Sequence, residues 1–293
     1  MKASVLVCAR NEEDTVGACI KSLISQDFPK EDYEIVVVDD CSMDGTASIL
    51  KGFSGEVKYV RNRKPRGRAY SRNRALNESE GDVVCFIDAD AYADRKWLSN
   101  LTGPYEGKAI GGKTFPKEML GGVGGFVGIW NRDSLVARYS EEGGIRFVRI
   151  QQGSKVALSQ VGFGTCNIAY PRPLIERVGG FDEGLVLGSD LDVNLKIIDA
   201  GFIFAYNPDA RVYHKHPDSA IKLVRKWFEK GRYHRRIMEK HPDLDFGLIA
   251  KMVNVKELAL NAVSYWKTPL FLPIEVSVRI SFLAGWLLGK FER

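Results

Sequence analysis

In the first ninety residues, short apolar runs that are typical of strands alternate with segments whose apolar residues recur at helical spacing. Four short runs rich in apolar residues have the character of strands: Val5–Cys8, Glu34–Val38, Val57–Val60 and Val83–Ile87. Three segments between them carry apolar side chains at helical spacing: Thr15–Ser25, Asp44–Leu50 and Ala69–Leu76. Strands that are separated by helices form parallel sheets through right-handed crossovers. We therefore predict an α/β fold with a mostly parallel central sheet flanked by helices.

Polar residues follow three of these strands directly. They form the segments Ala9-Arg10-Asn11-Glu12-Glu13, Asp39-Asp40-Cys41-Ser42-Met43-Asp44-Gly45-Thr46 and Asp88-Ala89-Asp90. Ligands of such sheets bind outside the carboxyl ends of the strands, so we expect the three segments to meet at one edge. Acidic groups gathered there repel one another unless a cation or donors compensate, which predicts a shared ligand. Helix capping and turn formation are the alternative for Asp39 and Asp40.

Asp88-Ala89-Asp90 is the most informative of the three segments. Side chains two residues apart on an extended segment point the same way, so both carboxylates can face one ion. Oxygen ligands suit hard cations such as Mg²⁺ or Mn²⁺, and nucleotide phosphates can complete the coordination shell. The same short pattern is also a common solvated strand end, so other motifs must support it.

Taken together, the motifs resemble those of the family 2 glycosyltransferases. Beyond the segments above, the resemblance includes Arg72-Asn73, Gly164–Asn167, Val178–Glu183 and Ser189–Asp192, and it spans roughly residues 3–216. Members of this family are inverting enzymes of the GT-A fold that use nucleotide sugars. The resemblance implies that fold and that activity here, and it does not identify the sugar.

The resemblance also implies roles for individual residues. The nucleotide part of the donor would be bound by Ala9, Asn11, Glu12, Asp40, Arg68, Arg72, Asp88 and Ala89. A Mg²⁺ or Mn²⁺ ion would be held by Asp88, Asp90 and His214. For His214, the alternative is an ordinary surface histidine. For each arginine, the alternative is a solvated loop position.

The general base that deprotonates the acceptor would be Asp190. In the family this residue is the second of an acidic pair, usually Glu-Asp, whereas this chain has Ser189-Asp190. The serine leaves open how the acceptor is handled. Asp192 is expected either to bind the acceptor or to be a first-turn acid favoured by the helix dipole.

Eight glycines lie between residues 107 and 128. Such backbone freedom is typical of a loop that closes over substrate, and we predict one here. The alternative is a flexible crossing with glycine-driven turns.

Charge is distributed unevenly along the chain. The net charge is +5, yet residues 61–74 carry seven Lys/Arg and no acid, and residues 222–240 carry eight Lys/Arg against two Glu. Two basic patches on an acidic body can meet phosphates or an anionic membrane. We predict no nucleic-acid partner, because the first patch has one aromatic residue, Tyr70, and the acidic edge repels phosphate without a metal. Five cysteines without a CxxC pair indicate reduced thiols in the cytosol.

The character of the sequence changes near residue 220. We predict a catalytic domain at 1–219 and a basic amphipathic and hydrophobic region at 220–293. Thr268–Gly289 is strongly apolar, but Pro273, Glu275 and Arg279 interrupt it, and a charge is costly at the centre of a bilayer. We expect this helical tail to lie in the membrane interface without crossing it. Packing of the basic helix on the catalytic domain is the alternative.

These expectations define one leading function. The chain is predicted to transfer a sugar from a UDP- or GDP-sugar to a glycan, a lipid-linked glycan or a polyprenyl phosphate, at the cytoplasmic face of a membrane. A nucleotidyltransferase that makes nucleotide sugars is the alternative, although such enzymes begin with a glycine-rich phosphate loop and the first glycine here is Gly17. A non-catalytic relative is a further alternative, and Ser189 is its one indication.

Overall fold

A computed structural model describes residues 1–142, 157–159, 164–241, 253–265 and 268–289. The chain divides into two compact units. The first contains Met1–Gly128 and Ile150–His214, and the second contains Ile129–Arg149 and Lys215–Arg293. The tail predicted from residue 220 therefore belongs to a unit that also includes a segment from the middle of the chain.

The first unit alternates strands and helices along its length. Its strands are β1 (Ala3–Ala9), β2 (Tyr33–Asp39), β3 (Lys58–Arg61), β4 (Val83–Asp88), β5 (Ala91–Ala93), β6 (Leu120–Ile129), β7 (Ala157–Ser159), β8 (Ile168–Pro171) and β9 (Ile203–His214). Its helices are α1 (Val16–Ile24), α2 (Thr46–Lys51), α3 (Arg68–Asn77), α4 (Trp97–Thr102), α6 (Arg172–Arg177) and α7 (Ser189–Asp199). The four strands and three helices predicted in the first ninety residues are all confirmed.

One sheet joins these strands in the order β3-β2-β1-β4-β8-β6-β9-β5, and β7 pairs with β9. The pairs β2–β3, β1–β2 and β1–β4 are parallel, as the sequence predicts. From β8 onwards the pairs β4–β8, β6–β8, β5–β9 and β7–β9 are antiparallel. The sheet is thus mixed, with a parallel part at β3-β2-β1-β4 and antiparallel pairs in the rest.

The glycine-rich segment differs from its prediction. Instead of one long loop, its second half forms strand β6, and glycines there allow close packing. A Cβ atom at Gly122 would lie 2.4 Å from the ring of Phe204, and one at Gly125 would lie 2.0 Å from the carbonyl oxygen of Ala210. These glycines are therefore explained by close approach of neighbouring chains rather than by loop motion.

The two faces of the sheet bury separate hydrophobic clusters. Val5 and Val7 face one cluster with α1 and α4, whereas Leu6 between them faces the other with α3, α6 and α7. This alternation follows from the two-residue period of a strand, and both faces are covered because the strands are apolar throughout. The carboxyl ends of β1, β2 and β4 are thereby fixed at one edge.

The second unit is helical in the described residues. It contains α5 (Leu135–Glu142), α8 (Ala220–Lys240), α9 (Val255–Ser264) and α10 (Phe271–Leu288). Its core includes Tyr139, Trp227, Tyr265, Phe271 and Phe282. One helix among the described residues, α10, is long and apolar enough to cross a membrane by length and composition, with a mean hydropathy of 1.5.

Charges that interrupt the apolar sequence of α10 are buried inside this unit. Glu275 has no exposed surface, and it accepts hydrogen bonds from Asn261, Tyr265 and Arg279. The Arg279 Nη2 atom lies 2.7 Å from Glu275 Oε1. Each charged group therefore has a partner, and the pair lies four residues apart on one helix as the sequence predicts.

Candidate active site

Two strand ends bring together a group of acidic and histidine side chains. Asp88 ends β4, Asp90 follows it, and His214 ends β9. Strand β5 begins at Ala91, directly after Asp90, and its antiparallel pairing places Ala91 opposite His214. This pairing explains why residues more than 120 positions apart in sequence converge.

The distances within this group are short. The His214 Nε2 atom lies 3.1 Å from an Asp90 carboxylate oxygen and 3.6 Å from one of Asp88. Burial lowers the pKa of His214, but hydrogen bonds to the two carboxylates outweigh it and raise the pKa to about 9. Burial likewise disfavours the Asp88 carboxylate, yet the hydrogen bond from His214 and the charge of Arg72 hold its pKa below the ordinary value.

The donor set of this group fits a divalent cation. One ligand atom from each of Asp88, Asp90 and His214 lies within 4.8 Å of the others. Among the described residues, these three form the cluster of His, Cys, Asp or Glu side chains that could hold a metal ion. The Asp88 and Asp90 side chains are 37% and 27% exposed, so a ligand can reach them. Two carboxylates with one imidazole suit Mn²⁺, and the carboxylates suit Mg²⁺.

Arginine side chains flank the acidic group. Arg72 is buried, with Nη2 3.9 Å from Asp88 and Nη1 donating a hydrogen bond to the hydroxyl of Ser189 at 3.2 Å. Its guanidinium also lies 5.5 Å from the centre of the Phe181 ring. Arg68 is the exposed first residue of α3, and its charge acts on Asp88 and on Glu12. Both arginines can therefore present positive charge at this edge.

The loop after β1 is tied to the loop after β2. Asn11 has a φ of 55° and accepts a hydrogen bond from the Met43 amide, while its own amide donates to Ser42. Glu12 is half-buried; its burial and the nearby charge of Asp90 raise its pKa to about 7, against a hydrogen bond from Thr15. Ala9 is buried and its carbonyl accepts a hydrogen bond from the Asp40 amide. These contacts fix the position of the loop that is predicted to hold the nucleotide.

Asp40 is almost completely buried, and both its carboxylate oxygens are hydrogen-bonded. They accept hydrogen bonds from the side chain of Asn62 and from the backbone amides of Arg66 and Gly67, at 2.7–2.9 Å. Asp40 thus holds the basic loop that leads into α3. Contact with the nucleotide base stays a prediction, and the observed contacts support a role in positioning that loop.

The proposed base, Asp190, is half-buried in the first turn of α7. One of its oxygens accepts a hydrogen bond from the Leu191 amide, and the other faces Gly164, where a Cβ atom would lie 3.4 Å away. Ser189 is buried and touches Arg72. Asp192 is fully buried and pairs with Lys196 at 2.8 Å, which favours its role as a helix acid over acceptor binding.

Two asparagines of the sequence motifs have structural roles that the sequence did not reveal. The Asn167 side chain accepts a hydrogen bond from Trp97 and donates to the carbonyls of Phe126 and Ala210. Asn73 binds both the amide and the carbonyl of Phe181. Asn167 thus joins β6 to β9, and Asn73 joins α3 to the segment at Phe181, so replacing either amide would leave several polar groups without these partners. No sequence signal separates this role from ligand binding.

Comparison with known proteins finds glycosyltransferases that are similar to this chain. The model for glycosyl transferase family 2 matches residues 4–117. Glycosyltransferase AglE of Haloferax volcanii is 26% identical over 233 residues, covering 78% of this chain and 71% of that protein. Dolichyl N-acetyl-alpha-D-glucosaminyl phosphate 3-beta-D-2,3-diacetamido-2,3-dideoxy-beta-D-glucuronosyltransferase of Methanococcus voltae is 26% identical over 239 residues, covering 78% of this chain and 71% of that protein. Glucosyl-dolichyl phosphate glucuronosyltransferase of Haloferax volcanii is 28% identical over 268 residues, covering 82% and 78%.

Solved structures show the same fold. Mannosyltransferase PcManGT from Pyrobaculum calidifontis, in complex with GDP-Man and Mn²⁺, superposes with a TM-score of 0.65 at 20% identity and covers 96% of this chain and 87% of its own. Residues 1–349 of S. aureus TarS, with UDP-GlcNAc, give a TM-score of 0.53 at 18% identity, covering 99% and 92%. The fold is the GT-A fold of nucleotide-sugar-dependent transferases. The chain is a glycosyltransferase, and the match of residues 4–117 together with these relatives supports a family 2 enzyme.

Proposed function

We propose that this enzyme transfers a sugar, with inversion, from a UDP- or GDP-sugar to a lipid-linked glycan or polyprenyl phosphate. The observation that carries the proposal is the convergence of Asp88, Asp90 and His214 beside Arg72 at the carboxyl edge of the parallel strands. Acids at such an edge need a compensating cation, and a nucleoside diphosphate brings the remaining oxygen ligands.

The departing group of the reaction is a nucleoside diphosphate, and its negative charge grows as the bond to the sugar breaks. A bound Mg²⁺ or Mn²⁺ ion would stabilise that charge. Asp88, Asp90 and His214 would hold the ion, while Arg72 and Arg68 offer guanidinium groups to phosphate oxygens. Asp40 supports these residues by fixing the loop from which α3 begins.

Asp190 is proposed to remove the proton from the acceptor. Direct displacement needs a carboxylate within hydrogen-bond reach of the attacking oxygen. Asp190 is half-buried, and among the described residues its side chain accepts a hydrogen bond from the adjacent amide of Leu191, which leaves acceptor capacity on its second oxygen. Ser189 keeps Arg72 in place next to this base.

A lipid-linked acceptor is favoured by two independent observations. Two of the relatives described above are named for dolichyl phosphate substrates. In addition, the second unit combines a strongly basic helix with a long apolar one, which is typical of proteins that attach peripherally to an anionic membrane. We propose that the enzyme works at the cytoplasmic face of such a membrane.

Calorimetric titration tests the donor site. UDP, GDP and their common sugars would be titrated into the protein with Mn²⁺ and then with EDTA. We expect one nucleotide to bind only with metal, and Asp90→Asn to lose this metal dependence. Asp209→Asn, an exposed acid on the same strand as His214, is the matched control and should bind as the wild type does. Absence of metal-dependent binding for every nucleotide would refute the proposed site.

A further inference from the structure

The charged pair of α10 is turned inwards, so the opposite side of this helix is apolar and exposed. Leu270, Ile280, Leu287 and Leu288 are each 51–63% exposed. Glu275 and Arg279 are buried among residues of α9 and α10, on the other side. We call the four exposed residues the apolar face.

Helices α8 and α10 pack side by side and run in the same direction. The contacts Val224–Ser281, Phe228–Gly285 and Arg232–Gly289 keep a constant offset along both helices. A Cβ atom at Gly285 would lie 2.0 Å from the Phe228 carbonyl oxygen, so the two backbones touch. The pair is therefore a rigid platform in which each helix has a defined outer side.

The outer side of α8 is basic. Lys222, Arg225 and Lys226 are exposed, and we call them the basic face. Leu223 and Trp227 of α8 and Phe271 and Phe282 of α10 are buried in one cluster. Each helix buries one side in this cluster and touches the other helix through a second side. The remaining sides of α8 and α10 therefore both point away from the cluster. The basic face thus borders the apolar face.

From this arrangement we infer that α10 lies in the plane of an anionic membrane, with its apolar face in the lipid and the basic face of α8 on the headgroups. This inference deepens the membrane attachment proposed above. It argues against a spanning α10, because the Glu275–Arg279 pair of this helix is buried and hydrogen-bonded to Asn261 and Tyr265 inside the second unit. Lys and Arg beside an apolar stripe match the chemistry of anionic headgroups over acyl chains.

Binding to vesicles tests the inference with the full chain. Phosphatidylcholine vesicles, with and without phosphatidylglycerol, would be sedimented with the protein. We expect Ile280→Ser with Leu287→Ser to lower partitioning about tenfold, because two apolar side chains no longer enter the lipid. Met119→Ser, an exposed apolar residue of the first unit, is the control and should leave binding unchanged.

A second double variant tests the basic face. Arg225→Gln with Lys226→Gln should weaken binding to anionic vesicles about fivefold per residue, from about 1 kcal/mol for each charge. Binding to neutral vesicles should not change. Equal losses on both vesicle types would overturn the headgroup assignment.

Three further outcomes would overturn the inference. The first is that both double variants bind vesicles as the wild type does. The second is that protein expressed in cells stays in membranes after an alkaline carbonate wash, which indicates a spanning helix. The third is that the wild type is a dimer, that Ile280→Ser with Leu287→Ser makes it monomeric, and that vesicles bind neither form. Donor titration of the same variants separates this result from the proposed function, since the donor residues all lie in the first unit.

Discussion

Two clusters of charged side chains in this protein have opposite relations to solvent. In the second unit, Glu275 and Arg279 are buried and paired, and Glu275 also accepts hydrogen bonds from Asn261 and Tyr265. In the first unit, Asp88 and Asp90 are partly exposed and share a single histidine, His214. The first arrangement satisfies its own charges, whereas the second leaves carboxylate oxygens directed to solvent and available to a ligand.

The difference teaches which charged clusters indicate function. Both clusters adjoin apolar sequence, and the sequence alone does not show which of their charges already have partners. Burial of a charge pair is tolerated when each partner is saturated with hydrogen bonds, and such a pair needs nothing further. A cluster with two like charges near one another is tolerated when a cation joins them. The hydrogen-bond partners of each charge, which are visible only in the structure, distinguish the buried pair from the exposed cluster.

The largest expected effect is on the rate of sugar transfer, when one carboxylate of the exposed cluster is removed. Asp90→Asn keeps the shape of the side chain but removes one negative charge from the proposed metal site. We expect the rate of sugar transfer to fall about a thousandfold, because stabilisation of the departing diphosphate is lost. The measurement is release of the nucleoside diphosphate with saturating Mn²⁺. A variant that retains most of the wild-type rate would contradict the metal assignment, and Asp209→Asn is the control.

Much of the fold that supports this site could be predicted from the sequence. The apolar runs at β1, β2, β3 and β4 are strong signals, and the rule that ligands meet at the carboxyl edge located Asp88 and Asp90 correctly at one sheet edge. Strand β5 could not be predicted, because three residues are too few to show a period. It is this strand that brings His214 to the acids.

Two other features of the structure could not be predicted, for a different physical reason. Glycines 121, 122 and 125 were interpreted as flexible, whereas their absent side chains admit Phe204 and the Ala210 carbonyl into close contact. For Asp40, contact with the nucleotide stays a prediction, and the structure adds that its carboxylate accepts hydrogen bonds from Asn62 and from the amides of Arg66 and Gly67. Both roles depend on tertiary neighbours that the sequence does not specify.

The second prediction breaks the buried cluster. Glu275→Ala leaves Arg279 buried without its carboxylate, and we expect the free energy of unfolding to fall by about 3 kcal/mol. Replacing both partners, with Glu275→Leu and Arg279→Met, should recover most of that loss because no charge stays unpaired. Urea unfolding followed by tryptophan fluorescence measures both effects. Glu239→Ala, which removes an exposed acid from α8, is the control and should change stability by less than about 1 kcal/mol. Comparable losses in all three variants would contradict the argument.

The third prediction concerns His234, a buried histidine of α8. Its burial lowers the pKa to about 4, whereas the unfolded chain has the ordinary value near 6.5. Between these values the unfolded state binds the additional proton, so stability is complete above pH 6.5 and is lost as the pH falls towards 4. We expect His234 to contribute a loss of about 2 kcal/mol between about pH 7 and pH 5. In His234→Leu this part of the pH dependence should disappear, and an unchanged slope would show that other groups cause it.

The smallest expected effect is on donor binding, and it tests how the partners of Arg72 in the exposed site differ from those of Arg279 in the buried pair. Arg279 is matched by a carboxylate, whereas buried Arg72 bonds to the neutral hydroxyl of Ser189 and lies 3.9 Å from Asp88. Ser189→Ala removes one hydrogen bond worth about 1 kcal/mol, which should weaken donor binding about fivefold and leave turnover at saturating donor nearly unchanged. Ser189→Thr keeps the hydroxyl and should bind as the wild type does. If Ser189→Ala instead lowers turnover without changing donor affinity, Ser189 acts on the acceptor through Asp190 and not on Arg72.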